Sequence, residues 1–231
     1  MCIRLAFAGS ILVLFSLFLS CSLINADSKS KRDHGNVSVI PLALPSYNGQ
    51  ISLERVIYNR KAIRTFKNKA IDLSEVSQLL WAGGGKTIDG ITGATRSYPA
   101  AGGLYPLEFY LVTEKVDSLE SGIYRYNWKE HSLIQVKSGS FIEALKNTTY
   151  STSFKSATVP ACIVATALYS VTMSKYGDRG RERYVCMAMG GSGQNMHLQA
   201  EALGLGTFII GAFSDDKVKQ VLGIEASNEE P

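Results

Sequence analysis

Eight consecutive residues, Ala161–Leu168, carry almost only apolar side chains, which suits a strand buried on both faces of a central sheet. A second long stretch, from about Arg181 to Leu203, is small or apolar on most sides of a helix and stops at Gly204. Such a helix has to be covered by a partner as well as by its own domain. The two segments predict a central sheet and a deeply buried helix.

Three further helices have sequence signals at their first residues. Ser52 is a good N-cap, and it precedes an apolar face made by Leu53, Val56 and Ile57. Asp72 and Glu75 form a capping-box pattern before a helix that ends at Gly83–Gly85, and Ser214 precedes a last helix that ends at Gly223.

The remaining strand signals are interspersed among the helices. The predicted strands are Leu107–Thr113, the hairpin partners Gly122–Tyr126 and Ser132–Lys137, and a short strand at Thr207–Ile210. Helices and strands are mixed without strict strand–helix–strand alternation, so the sequence favours an α+β fold.

The N-terminus has the pattern of a secretory leader. Arg4 is the one charged residue of the first 20, and it precedes an unbroken apolar and small-residue run. A transmembrane anchor is the alternative, but the run from Leu5 to Ser20 is shorter than the roughly 20 residues of a typical spanning helix. We therefore expect an exported protein, located in the cell envelope or periplasm.

Two cleavage sites compete in this leader. Cleavage before Cys21 would leave a lipidated cysteine attached to the membrane, as in bacterial lipoproteins, whereas cleavage after Ala26 would release a free protein. The sequence predicts a leader over residues 1–26, a flexible tether over 27–39 and one domain over 40–231.

Charge and cysteine content exclude two kinds of site. The chain has 24 Lys and Arg against 20 Asp and Glu, and this net charge of +4 is too balanced to predict nucleic-acid binding. Beyond the leader only Cys162 and Cys186 remain, and their apolar neighbours predict buried, unpaired thiols. Neither has ligand spacing with a histidine, so we expect no metal site.

Three segments carry residue types that could do chemistry. Cations in Arg60–Arg64 could clamp a phosphate, or could be a solvated run at the end of a helix. Small residues in Pro99–Pro106 would let a flat ring or a phosphate approach the backbone, or could form a tight turn. Lys175–Tyr176 offers two groups that could move a proton, or could lie in a solvated loop.

Taken in order, these segments resemble the nitroreductase superfamily. The matching motifs are R-K-A-x-R-x-F at 60–66, P-A-A-G-G-L-Y-P-L-E at 99–108, G-I-Y-R-Y at 122–126, K-Y-G-D-R-G at 175–180, Q-N-x-x-L-Q-A-E-A-L-G-L-G-T at 194–207 and I-I-G-A-F at 209–213. The most similar branch is that of the SagB-type (thiazole- or oxazole-forming) dehydrogenases and their stand-alone relatives. The resemblance runs from Ile40 to the C-terminus.

The resemblance implies an α+β fold with a mostly antiparallel central sheet flanked by helices. It also implies an intertwined homodimer with one FMN per site at the dimer interface. The residues implied to contact the FMN phosphate and ribityl chain are Arg60, Lys61, Ala62 and Arg64. Those implied to line the isoalloxazine ring are Pro99, Ala100, Ala101 and Gly102 on one side and Ile210, Gly211 and Ala212 on the other. Lys175 and Tyr176 are the implied proton-handling pair, with Lys175 as the general base.

The implied activity is transfer of hydride between FMN and a small organic substrate, with NAD(P)H as a candidate electron donor. The alternative is a non-catalytic envelope lipoprotein that uses the fold to bind a ligand or partner. Its motivation is that Ala62 and Ala100 replace frequent serines and that Ala188–Gly191 lacks a histidine often found in relatives. In relatives the chain continues beyond the position of Pro231 into a final strand and tail, which this domain is expected to lack.

Overall fold

A computed structural model of the chain describes residues 38–90 and 93–231. The predicted leader, both of its cleavage sites and residues 27–37 of the predicted tether lie outside the described residues. The predicted tether ends at Val39, which is the first residue of a strand.

Strands and helices of the described residues alternate irregularly along the chain. In chain order the elements are β1 (Val39–Pro41), α1 (Leu53–Asn59), α2 (Leu73–Gly84), β2 (Lys86–Gly90), β3 (Gly93–Arg96), a 3₁₀ turn (Ala101–Gly103), β4 (Leu107–Thr113), β5 (Gly122–Asn127), β6 (Ser132–Ser138), α3 (Ile142–Lys146), α4 (Thr152–Ser156), β7 (Ala161–Leu168), α5 (Tyr169–Tyr176), a π-helical turn (Gly180–Val185), α6 (Cys186–Ala202), α7 (Asp215–Leu222) and β8 (Glu229–Glu230).

Six of the strands form one sheet in the order β1-β6-β5-β4-β7-β8, while β2 and β3 form a separate hairpin. Each neighbouring pair in the larger sheet is antiparallel. Tyr110 of β4, for example, lies opposite Val164 of β7 and Arg125 of β5. The predicted α+β class with a mostly antiparallel central sheet is therefore confirmed.

The sheet separates two apolar cores because successive side chains of a strand point to opposite faces. On β4, Leu107, Phe109 and Leu111 pack with α2 and α6, whereas Tyr110 and Val112 pack with α3, α4 and α7. The sheet thus lies between two helical layers, and α6 is in the layer that covers the odd-numbered residues of β4.

Several element boundaries follow from local sequence signals. The Ser52 hydroxyl accepts a hydrogen bond from the Arg55 N–H at 3.3 Å, and the Glu75 carboxylate accepts one from the Asp72 N–H at 3.0 Å. Gly223 ends α7 with a φ of 77°. Because a cap acts within one helical turn, these starts and stops could be predicted without any tertiary information.

The structure corrects the predicted strand at Thr207–Ile210. Among the described residues this segment pairs with no strand, and the Thr207 carbonyl instead accepts a hydrogen bond from the Ile63 N–H at 3.0 Å. The carbonyl at the start of this run is therefore bonded to the segment after α1 rather than to a neighbouring strand.

The prediction that β7 is buried on both faces is wrong for Ala161–Ala165, which are half-buried. The reason is that β8 pairs only with Ala167 and Leu168, so the first part of that edge has no strand beside it among the described residues. The Glu229 carboxylate anchors β8 by accepting hydrogen bonds from the Tyr110 and Thr166 hydroxyls at 2.9 and 2.7 Å.

The two cysteines of the domain differ in exposure. Cys162 on β7 is half-buried, and burial of its thiol raises the pKa to about 12. Cys186 is exposed at the first turn of α6, so the prediction that it is buried is wrong.

Within the described residues, no helix combines the length and apolar character needed to cross a bilayer.

Candidate functional site

Helix α6 brings two of the predicted cofactor segments together. A side chain added at Gly191 would lie 3.2 Å from Cδ of Pro99, and one added at Gly193 would lie 2.8 Å from Cδ1 of Ile209. Glycine in the interior of a helix is unfavourable by roughly 0.5–1 kcal/mol relative to alanine, so its use here has a packing reason. The two glycines allow both segments to approach the backbone of α6.

The loop between β3 and β4, residues 97–106, carries the predicted ring-binding residues. Gly102 and Gly103 have φ values of 63° and 70°, in the left-handed region that glycine adopts without strain. Pro99 and Gly102 are exposed, whereas Ala100 and Ala101 are half-buried. The 97–106 loop therefore presents small side chains and backbone at the surface.

The predicted proton-handling pair lies against this loop. A side chain added at Gly102 would be 2.6 Å from the Tyr176 hydroxyl oxygen and 3.0 Å from the Lys175 ammonium nitrogen. The pair lies at the C-terminal end of α5, which Gly177 stops with a φ of 56°. Two segments separated by some 70 residues in the sequence thus meet at Gly102, and both polar groups reach the loop backbone.

The Tyr176 ring is supported by the π-helical turn that follows. The ring centroids of Tyr176 and Tyr184 lie 4.7 Å apart in an edge-to-face arrangement. Arg179 donates a hydrogen bond to the Tyr184 hydroxyl at 2.9 Å. Single π-helical turns are frequent at functional sites, and this one holds an aromatic ring against the candidate acid–base pair.

The cationic segment, Arg60–Phe66, follows α1. Lys61, Ala62 and Arg64 are exposed and Arg60 is half-buried. None of the three cations forms an ion pair with a carboxylate of the described residues. The Arg64 guanidinium lies 5.7 Å from the centroid of the Phe208 ring, which places it beside the segment that leads to Ile209.

His197 of α6 lies near this positive charge. Its side chain is buried, and Nδ1 has no hydrogen-bond partner in the part of the chain that the structure describes. Burial lowers the pKa of the imidazole, and the neighbouring charge of Arg60 lowers it further. Because no carboxylate of the described residues pairs with its cations, the cationic segment keeps its positive charge, which suits a phosphate.

The residues predicted for the other side of the ring follow Ile209. Ile210 is half-buried, and Gly211 and Ala212 are exposed. The Ala212 carbonyl accepts hydrogen bonds from the Tyr150 N–H at 2.8 Å and the Thr149 hydroxyl at 2.7 Å. This segment is thus fixed at both ends, by α6 at Ile209 and by the chain after α3 at Ala212.

The sequence reasoning did not identify several residues that hold this arrangement. Asn195 of α6 donates to the Ser97 carbonyl at 2.7 Å, and Ser192 donates to the Gly83 carbonyl at 2.6 Å. Arg96 and Tyr98 anchor the 97–106 loop from inside the core. The run G-G-S-G at 190–193 held a usable signal, since three glycines within one helix turn predict a close approach.

Among residues 38–90 and 93–231 there is no group of three or more His, Cys, Asp or Glu side chains that could hold a metal ion. The polar groups of the site are instead cations, a tyrosine hydroxyl, an amide and backbone N–H groups.

The fold places this protein among known structures. A proposed nitroreductase from Anabaena variabilis is similar with a TM-score of 0.69 and 27% identity over 84% of this chain, which spans 40% of that chain. The Escherichia coli microcin synthetase McbBCD complex with truncated pro-MccB17 bound is similar with a TM-score of 0.62 and 22% identity, over 80% of this chain and 71% of that chain. Both share the α+β architecture described above.

Sequence comparison defines the family. The nitroreductase family profile matches residues 57–231. A proposed nitroreductase from Methanocaldococcus jannaschii is 34% identical over 176 residues, which are 76% of this chain and 86% of that protein. The chain therefore belongs to the nitroreductase family, whose members are oxidoreductases that generally use FMN with NAD(P)H.

Proposed function

We propose that this protein binds FMN at the site around α6 and transfers hydride between the flavin and a small organic substrate, with NAD(P)H as the candidate donor. The observation that carries the proposal is the meeting of the 97–106 loop with Lys175 and Tyr176 at Gly102. This meeting puts two proton-bearing groups beside the surface proposed to hold the flavin ring.

The residues present fit an FMN molecule at both of its ends. The cationic segment supplies Arg60, Lys61 and Arg64, which have no carboxylate partner in the described chain and can neutralise a phosphate. The 97–106 loop supplies a small-residue surface for a flat ring. Ala62 and Ala100 lack hydroxyl groups, but their backbone N–H groups remain available as donors.

When bound, the flavin would supply the two-electron chemistry, which no side chain of this site can perform. The chain contributes binding, orientation and proton handling. Lys175 and Tyr176 would hold or deliver a proton at the substrate, and the edge-to-face contact with Tyr184 would fix the direction of the Tyr176 hydroxyl. Ile210, Gly211 and Ala212 form the proposed opposite wall, which limits access of water to the ring.

We further place the protein in the SagB-type branch, as a stand-alone exported member. The Lys-Tyr pair at the 97–106 loop supports this placement. The leader pattern of residues 1–26 supports export, with Cys21 as the candidate lipid attachment site. The substrate is then a small molecule of the envelope or the surroundings.

A homodimer is also part of the proposal. Of the apolar face predicted for α1, Val56 is buried, whereas Leu53 is 60% and Ile57 is 54% exposed. Other exposed large apolar side chains include Leu44, Tyr47, Tyr58, Met187 and Ile209. The proposed cover for these side chains is a second copy of the chain. Analytical ultracentrifugation of the purified chain would show a dimer.

The direct experiment is the visible absorbance of the purified full-length chain. We expect a yellow protein with about one flavin per chain, because the ring and phosphate ends of the site are both present. Release of the flavin by denaturation would identify it as FMN. A colourless protein that stays empty after incubation with FMN would contradict the proposed function.

A further inference from the structure

Arg96 is a buried arginine at the start of the 97–106 loop. Its side chain is 4% exposed, and Nε and Nη1 donate hydrogen bonds to the carbonyls of Gly84 and Leu107, each at 2.6 Å. The guanidinium carbon also lies 5.0 Å from the Trp128 ring centroid and 5.2 Å from that of Tyr98. The arginine thus links the end of α2 to the first residue of β4, across the base of the loop.

Leu107 has both of its backbone polar groups bound by side chains from the beginning of the loop. Its carbonyl accepts from Arg96, and its N–H donates to the Tyr98 hydroxyl at 3.2 Å. The Tyr98 and Tyr105 rings pack edge to face with centroids 5.5 Å apart. The first and last residues of the loop are therefore tied together inside the core.

A buried guanidinium is an expensive way to fill space, because its charge loses hydration. Arg96 forms no ion pair with a carboxylate in the part of the chain described, and burial lowers its pKa. An apolar side chain could fill the same space, but it could not donate hydrogen bonds to the carbonyls of both Gly84 in α2 and Leu107 in β4. Gly84 leaves the room required, since a side chain there would lie 2.6 Å from Nη2 of Arg96 and would collide with Phe109.

We propose that Arg96 and Tyr98 are positioning residues that set the conformation of the 97–106 loop before the flavin binds. The proposal rests on the proposed function for the identity of the ligand, and on the structure alone for the order of the loop. A loop that is ordered in advance loses less conformational entropy on binding, so the ring is held more tightly. The effect concerns the isoalloxazine ring and leaves the phosphate contacts unchanged.

The test compares two tyrosines that each lose only a hydroxyl. Tyr98→Phe removes the bond to Leu107, whereas the control Tyr124→Phe removes a hydrogen bond of 2.9 Å to the Glu120 carbonyl, which precedes β5 and lies outside the loop. Hydrogen exchange of the loop amides in the flavin-free chain should rise about fivefold to tenfold in Tyr98→Phe, as expected for one lost buried hydrogen bond. The control should leave the loop amides unchanged.

Flavin affinity provides the second readout, measured for FMN and for riboflavin. Tyr98→Phe should weaken the binding of both ligands by the same factor, about fivefold to tenfold, while Tyr124→Phe leaves the affinity for both unchanged. Arg96→Lys, which keeps the charge but cannot span two carbonyls, should act in the same direction as Tyr98→Phe. If Arg96→Lys does not fold, the pair of Tyr→Phe variants still decides the matter.

The outcomes separate this inference from the proposed function. Unchanged loop exchange in Tyr98→Phe, or equal exchange in both variants, overturns the positioning role whether or not flavin binds. Flavin affinities that fall equally in Tyr98→Phe and the control also overturn it, because the effect would then be general loss of stability. A wild-type chain that binds no flavin contradicts the proposed function, while the exchange data still report on the order of the loop.

Discussion

The two ends of the candidate site are built differently. The 97–106 loop is tied into the core by Arg96 and Tyr98, whose side chains are 4% and 1% exposed. The cationic segment, in contrast, is mostly exposed and is tied down by the backbone bond from Ile63 to Thr207 and by packing of Ile63 and Phe66 against Gly206. A loop that is ordered before binding suits the rigid flavin ring. Cations without a carboxylate partner suit a phosphate, which supplies the negative charge.

This difference has energetic consequences. Contacts at the loop are buried, so they are little affected by salt, and they depend on the stability of the core. Contacts at the cationic segment are exposed, so they are screened by salt and contribute little to folding. Measuring the affinity for FMN, the affinity for riboflavin and the free energy of unfolding for each variant should therefore distinguish changes at the two ends.

The largest expected effect is on turnover. Lys175→Ala combined with Tyr176→Phe should lower the turnover number by at least about 100-fold, because proton transfer by a positioned group typically contributes 10²–10⁴ in rate. Flavin content should stay near wild type, since neither end of the binding site is altered. Steady-state assays with a nitroaromatic acceptor and absorbance of the purified variant provide the measurement.

Lys155→Ala, an exposed lysine on α4, serves as the matched control and should keep wild-type turnover. Unchanged turnover in the double variant would remove Lys175 and Tyr176 from the mechanism.

The next effect concerns the cationic segment. Arg60→Ala combined with Arg64→Ala should lower the affinity for FMN by about 10-fold to 100-fold, as expected for the loss of charged hydrogen bonds. Riboflavin, which has the ribityl chain but no phosphate, should lose much less affinity than FMN. Fluorescence quenching at low and high salt would measure both ligands, and the exposed Arg55→Ala on α1 is the control. A loss of riboflavin binding equal to that of FMN would contradict the division into two ends.

A smaller effect is expected on stability at the loop end. Gly84→Ala should lower the free energy of unfolding by about 1–3 kcal/mol, because the added methyl group would collide with Phe109 and Arg96. Gly190→Ala is the matched control, since a side chain at this helical position meets nothing within 4 Å. It should raise stability by up to about 1 kcal/mol through helix propensity. Urea denaturation of the two variants gives the comparison, and equal effects would show that Gly84 is not required by the packing around Arg96.

The smallest effect compares a half-buried and an exposed thiol. Burial raises the pKa of Cys162 to about 12, so its thiol stays protonated at pH 8 and should react slowly with a thiol reagent. The exposed Cys186 should react first. Since the folded state disfavours the thiolate of Cys162, stability should fall as the pH rises above the unfolded thiol pKa of about 8.5–9. Mass spectrometry of the labelled peptides would identify the modified residue, and equal labelling of both cysteines would contradict the assignment.

Sequence reasoning succeeded where the signal is local. The strand Leu107–Thr113 was predicted to the residue, and the caps at Ser52 and Asp72 mark the true helix starts. The predicted strand Thr207–Ile210 was wrong because an apolar run becomes a strand only when another strand lies beside it. Pairing partners depend on the whole fold, and nothing in that short run indicates them.

The supports of the site depend on contacts between distant residues. The meeting of Gly102 with Lys175 and Tyr176 joins two segments whose chemistry the sequence indicated but whose distance it could not give. Nothing in the sequence around Arg96 indicates that its guanidinium is buried between α2 and β4. Such contacts are visible only when the elements are placed together.

One site is proposed to hold FMN through a preset loop at the ring and a cationic segment at the phosphate. Calorimetric titration of the flavin-free full-length chain with FMN and with riboflavin measures the contribution of both ends. We expect one FMN per chain, bound more tightly than riboflavin, with the difference shrinking as salt is raised. Absence of binding, or equal affinity for the two flavins at low salt, would contradict it.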